Sequence, residues 1–152
     1  MNTKQQEKLH KVLTTQTLHY QEILTLSKTQ SQLIAEGKIL ELFPIFNKIN
    51  ELMQIVKKLD QSVIEEKEAW EKNKLLLPEE QRQPIAIQVD KISDLLKQII
   101  ALEQTQQDSI GAQQKRNRTD VSKINRGRQM AKAYGQAYKP PRQLDNLVDK
   151  RT

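Results

Sequence analysis

The stretch Leu42-Phe43-Pro44-Ile45-Phe46-Asn47-Lys48-Ile49-Asn50-Glu51-Leu52-Met53-Gln54-Ile55-Val56-Lys57-Lys58-Leu59-Asp60-Gln61-Ser62-Val63 decides the fold. Within it Leu42, Ile45, Ile49, Leu52, Val56, Leu59 and Val63 recur at alternating steps of three and four, and Trp70 follows seven residues after Val63. That spacing places them on one narrow stripe of an α-helix, the geometry by which helices pack lengthwise at shallow crossing angles. It predicts a helix over about 39–74. Pro44 is tolerated near the first turns, or the helix begins at Leu42 or Phe43.

Upstream, Thr3 to Glu36 contains neither Gly nor Pro and reads as a first helix. Leu9, Val12, Ile23, Leu26 and Leu33 follow the same spacing with Leu13, Tyr20, Leu24 and Ile34 beside them, while Gln16, His19 and Gln30 read as interruptions. Gly37 supplies the stop, being able to adopt the positive φ of a reversing chain. Downstream, Leu77 to Pro84 holds two prolines amid charge and reads as a second reversal, with Pro84 opening a third helix. Ile85, Val89, Ile92, Leu96 and Ile99 carry that helix, and Lys139-Pro140-Pro141 ends it.

The expected fold is therefore all-α: an antiparallel, coiled-coil-like bundle of three long helices (about 3–36, 39–74 and 84–136) in one domain, 1–138, with a C-terminal tail at 139–152. Composition agrees. Only 36% of the 152 residues are apolar and 4% aromatic, too little for a thick globular core but enough for slender helices packed side by side. Four glycines and five prolines are too few for a turn-rich β protein.

The net charge of +6 is uneven: residues 1–110 carry 14 basic and 16 acidic side chains, residues 111–152 carry 11 basic and 3 acidic. Beyond Leu102 apolar residues become sparse, with Ile110, Val121, Ile124 and Met130 standing before Tyr134. A weakly apolar, positively charged arm suits capture of a partner helix and attracts acidic partners over roughly a Debye length of 8 Å. The same charge serves equally to complement a helix dipole and keep a thin helix in solution. It also admits a basic nucleic-acid-binding hairpin, although no recognised nucleic-acid motif is present and Tyr134 and Tyr138 are the arm's only aromatics.

Catalytic chemistry finds no foothold. The two histidines, His10 and His19, stand nine residues apart and point to opposite sides of one helix, so they cannot share a metal there. Cysteine is absent, the four glycines stand singly and make no phosphate loop, and Glu65, Glu66, Glu68 and Glu71 are interleaved with Lys67 and Lys72 as on an ordinary solvated face. No cofactor or metal is expected. With no apolar h-region near Met1 and no run of the ~20 apolar residues that a membrane span needs, a cytoplasmic, non-enzymatic protein without membrane insertion is expected.

The layout resembles the FlgN family of flagellar type III export chaperones and the related FliT-like proteins. The likeness rests on the first amphipathic helix, on Ala35-Glu36-Gly37-Lys38-Ile39-Leu40-Glu41-Leu42, on Leu52-Met53-Gln54-Ile55-Val56-Lys57-Lys58-Leu59, and on Ile124-Asn125-Arg126-Gly127-Arg128-Gln129-Met130-Ala131-Lys132-Ala133-Tyr134-Gly135. It implies a chaperone that binds helical terminal segments of hook-filament junction subunits and presents them to export gate or ATPase components. It also implies that the last helix makes the partner contacts, with Tyr134 matching the family's gate-engaging tyrosine and Tyr138 a near second. The expected partner-binding residues are Ile110, Val121, Ile124, Met130, Tyr134 and Tyr138, with Arg126 and Arg128 steering acidic partners. The basic arm departs from the acidic habit of secretion chaperones. A structural or adaptor coiled coil, homodimeric through the second-helix seam, is the alternative reading.

Overall fold

The computed structural model describes residues 1–116. They form four α-helices, α1 (Thr3–Ala35), α2 (Leu42–Gln61), α3 (Ile64–Asn73) and α4 (Glu79–Arg116), with a 3₁₀ turn at Ile39–Glu41 before α2. No strand occurs among the described residues. The all-helical class is thus as the periodicity requires.

Each helix end has a local cause. At the start of α1 the Asn2 and Gln5 side chains cap each other's backbone, Gln5 N donating to Asn2 Oδ1 at 2.8 Å and Asn2 N to Gln5 Oε1 at 3.0 Å, a capping box. At its end Lys38 N donates to Leu33 O and Gly37 N to Ile34 O, at 2.8 and 3.0 Å, with Gly37 at φ 74°. This is the Schellman arrangement, which needs a residue comfortable in the left-handed region. α2 begins at Leu42, which leaves Pro44 in the first turn, where an N–H would lack an intrahelical acceptor anyway.

Two boundaries differ from the expectation. The second helix is not continuous over 39–74: it breaks after Gln61 and resumes at Ile64. The Ser62 hydroxyl donates to Leu59 O at 2.6 Å, Val63 N turns to Asp60 O at 3.3 Å, and Val63 leaves helical geometry at φ −126°. A serine competing locally for a carbonyl next to two β-branched residues disfavours the helix here. The last helix starts at Glu79, not Pro84, because the Pro78 carbonyl already accepts from Gln81 N and Arg82 N, both at 3.0 Å. Glu79 and Glu80 then complement the dipole of the first turn. Pro84 sits inside α4, and the Glu80 carbonyl loses the N–H it would have received there.

The described residues divide into two compact units. The first joins Met1–Gln21 to Gln54–Leu96, and buries Leu9, Leu13, Tyr20, Val56, Val63, Trp70, Ile85, Val89, Ile92 and Leu96. Within it Gln6 and Thr17 of α1 bond to Gln81 and Gln88 of α4, so these two helices ascend together. Lys8 and Gln16 reach Glu66 and Val56 in the reverse order, so α2 and α3 descend. The second unit joins Glu22–Met53 to the part of α4 from Lys97 onward. It buries Ile23, Leu24, Ile34, Ile39, Leu42, Ile49, Leu52, Met53, Ile99 and Ile110. Each such side chain contributes about 1.5–3 kcal/mol through burial.

Candidate partner surface and the polar seam

The seams of these helices are more regular than apolar spacing alone discloses. On α1 the buried series is Leu9, Leu13, Gln16, Tyr20, Ile23, Ser27, Gln30 and Ile34, an unbroken alternation of fours and threes. Val12, Leu26 and Leu33 flank it half-buried, and Gln16 and Gln30 are members of the stripe. On α4 the series Ile85, Val89, Ile92, Leu96 and Ile99 continues through half-buried Glu103 to Gln106 and Ile110. Burial pushes the Glu103 carboxyl up from its ordinary range.

In the second unit the Gln106 amide donates to the Ser27 carbonyl and to Ser31 Oγ, both at 2.9 Å. Gln30 Oε1 is buried without a hydrogen-bond partner. In the first unit Gln16 Nε2 donates to Val56 O at 3.2 Å. The Thr17 hydroxyl lies 2.9 Å from both Leu13 O and Gln88 Oε1 and donates to one of them at a time. The same unit contains the ion pair of Asp60 and Lys67, both about 98% removed from solvent. Burial pushes the Lys67 ammonium down to about 7. Sequence reading missed this pair, although the phase Val56, Asp60, Val63, Lys67, Trp70 places both residues on the seam.

Other chemistry is sparse. A cavity of about 350 Å³ in the first unit is lined by Gln6, Glu7, His10, Glu80, Gln81, Pro84 and Ile85. Among the described residues no group of His, Asp and Glu side chains could hold a metal ion, and no helix is long and apolar enough to cross a membrane.

Of the residues expected to bind a partner, Ile110 is described. It is 2% exposed and belongs to a cluster with Ile34, Ile39 and Leu42, against which Leu33, Phe43 and Phe46 pack. Ile110 therefore anchors α4 to its own unit, at the point where the basic arm begins. Val121, Ile124, Arg126, Arg128, Met130, Tyr134 and Tyr138 lie outside the described residues. The second-helix seam is occupied as well: Ile49, Val56 and Val63 are wholly buried, so the chain's own helices cover the face that a homodimer along that seam would use.

The family model for FlgN protein matches residues 1–142. The chain belongs to the FlgN family. That family is one of chaperones in flagellum biogenesis, and an all-helical, heptad-patterned chain is consistent with it. No curated protein and no solved structure matches the chain significantly. The matched range extends through residue 142 and so takes in most of the basic arm.

Proposed function

We propose that this FlgN-family chain is a flagellar export chaperone that binds the helical terminal segments of hook-filament junction subunits and delivers them to the type III export apparatus. The observation that carries this reading is the family match over 1–142. The packing supports it: the heptad seam of α4 is sealed as far as Ile110, and Val121, Ile124, Met130 and Tyr134 follow in a segment rich in arginine and lysine. An amphipathic client helix binds such a segment by laying its apolar face along it. Arg126 and Arg128 steer acidic clients, and Tyr134, with Tyr138, engages export gate or ATPase components.

The test is recovery of hook-associated subunits from a flagellated lysate. The full chain retains them, and a chain ending at Arg116 does not. Ile124→Ser weakens client capture, whereas Tyr134→Ala spares capture and loses the export machinery. Full retention of clients by the truncated chain refutes the assignment of binding to the arm.

A further inference from the structure

The cavity of about 350 Å³ in the first unit is built by residues from the opening turns of α1 and of α4. Its size falls at the lower end of the ~300–1,000 Å³ range of ligand sites. Its lining combines acceptors with apolar surface. Glu7 of α1 and Glu80 of α4 line it beside Gln6 and Gln81, whose side chains join the two helices, Gln6 Nε2 donating to Gln81 Oε1 at 3.3 Å. Pro84 and the buried Ile85 supply the apolar part.

The chemistry of this lining narrows the occupant. Glu7 and Glu80 are exposed, and neither enters an ion pair among the described residues. Two carboxylates, one from each helix, thus line a single cavity with no cation between them. No Lys or Arg lines it, so an anion has no counter-charge there. Among the described residues no group of His, Asp and Glu side chains could hold a metal ion. Pro84 has no N–H, which leaves the Glu80 carbonyl without its donor four residues on and adds a backbone acceptor between two lining residues.

An organic cation with several N–H donors and an apolar stem meets these requirements. Acceptors carried by two different helices favour guanidinium over ammonium, because guanidinium presents its N–H groups in several directions of one plane and is less strongly hydrated. The methylenes of an arginine lie along apolar surface while its head stays with the polar groups.

We propose that this cavity receives an arginine side chain presented by a partner protein, its guanidinium between Glu7 and Glu80 and its stem along Pro84 and Ile85. All the lining residues precede the arm in the chain, and the proposal stands independently of how the arm holds a client.

The full chain, labelled with ¹⁵N, is titrated with the blocked pentapeptide acetyl-Ala-Ala-Arg-Ala-Ala-amide. Saturable amide shifts at Gln6, Glu7, Gln81 and Ile85, with a Kd in the millimolar range, are expected. Replacing the arginine by citrulline, which keeps the shape and removes the charge, weakens binding about 5-fold, and so does Glu7→Gln with Glu80→Gln in the protein. Lysine in the same peptide binds more weakly than arginine. Because Glu7 and Glu80 are exposed and outside any ion pair, their substitution leaves the helical circular dichroism unchanged. Pro84→Ala is the second variant: it returns a backbone donor to the Glu80 carbonyl and also weakens the peptide. Shifts that do not saturate, equal affinity for the citrulline or lysine peptide, or affinity unaltered in both variants overturns the proposal. Tighter binding of free arginine than of the peptide also overturns it, by assigning the cavity to a small molecule.

Discussion

Asp60 and Lys67 pair with each other inside the first unit, seven residues apart on one buried stripe, across the break between α2 and α3. The break does not interrupt the stripe: Val56 and Val63 are wholly buried and Trp70 is 4% exposed. Two charges withdrawn from water recover their desolvation cost only through each other, so the pair holds the two helix ends to one register without adding much net stability. Removing one partner strands the other. Lys67→Met alone is expected to destabilise the chain by about 3–5 kcal/mol, and Asp60→Leu with Lys67→Met to restore or exceed the original stability. Urea denaturation of the two variants checks this, and equal losses in both would contradict it.

The same lysine gives a pH dependence with a definite sign. Its ammonium titrates at about 7 in the fold, against 10.5 ordinarily. Between those values the unfolded chain binds the extra proton, so stability rises as pH rises across that window. Below 7 both states are protonated, and the burial penalty is present in full. The attraction of Asp60 opposes the shift, so the rise is on the order of 1–3 kcal/mol. Urea midpoints at pH 6.5 and 9.5 should differ in that direction for the wild-type chain and differ less for Lys67→Met.

Such a pair explains why the sequence discloses some seams and hides others. On α4 the phase Ile85, Val89, Ile92, Leu96 and Ile99 is legible because every member is apolar. On α1 the apolar residues alone suggest Val12, Leu26 and Leu33, one residue from the stripe that is actually buried. Gln16, Ser27 and Gln30 occupy its interior and look like gaps. The break at Ser62 and Val63 is invisible to periodicity, because it arises from one hydroxyl and one rotated backbone, whereas the seam phase runs through it unchanged. The expected partner-binding residues from Val121 onward rest on the arm's charge and on family likeness, because they lie outside the described residues.

Polar members of the α1 and α4 seams need not act alike. Gln106 satisfies two acceptors, Ser27 O and Ser31 Oγ, whereas Gln30 buries an oxygen that has no hydrogen-bond partner. Gln106→Leu is therefore expected to cost about 1–3 kcal/mol, and Gln30→Leu to gain about 1 kcal/mol by replacing a desolvated acceptor with apolar volume. Thermal unfolding separates the two signs. A gain from Gln106→Leu would mean that its bonds contribute less than its desolvation costs.

At the α1 terminus the requirement is conformational, not spatial. Gly37 has φ 74°, yet a Cβ placed there would meet nothing within 4 Å. Gly37→Ala is then expected to lose about 1–2 kcal/mol from left-handed strain alone, and Gly37→Asn less, because asparagine tolerates that region better. Chemical denaturation of both variants orders them. Equal losses would point to crowding in place of strain.

Ile110 distinguishes holding the fold from holding a partner. It is buried with Ile34, Ile39 and Leu42 in the second unit, so Ile110→Ala removes apolar volume from the chain's own core and is expected to cost about 2–5 kcal/mol with no client present. Hydrogen exchange of amides around Leu33 and Leu42 should accelerate correspondingly, since the cluster that protects them is weakened. Any loss of client capture in that variant then follows from loosening the root of α4, and lowering the temperature should recover part of it. An Ile110→Ala chain as stable as the wild type, yet unable to capture client, would move Ile110 from the core to the contact surface.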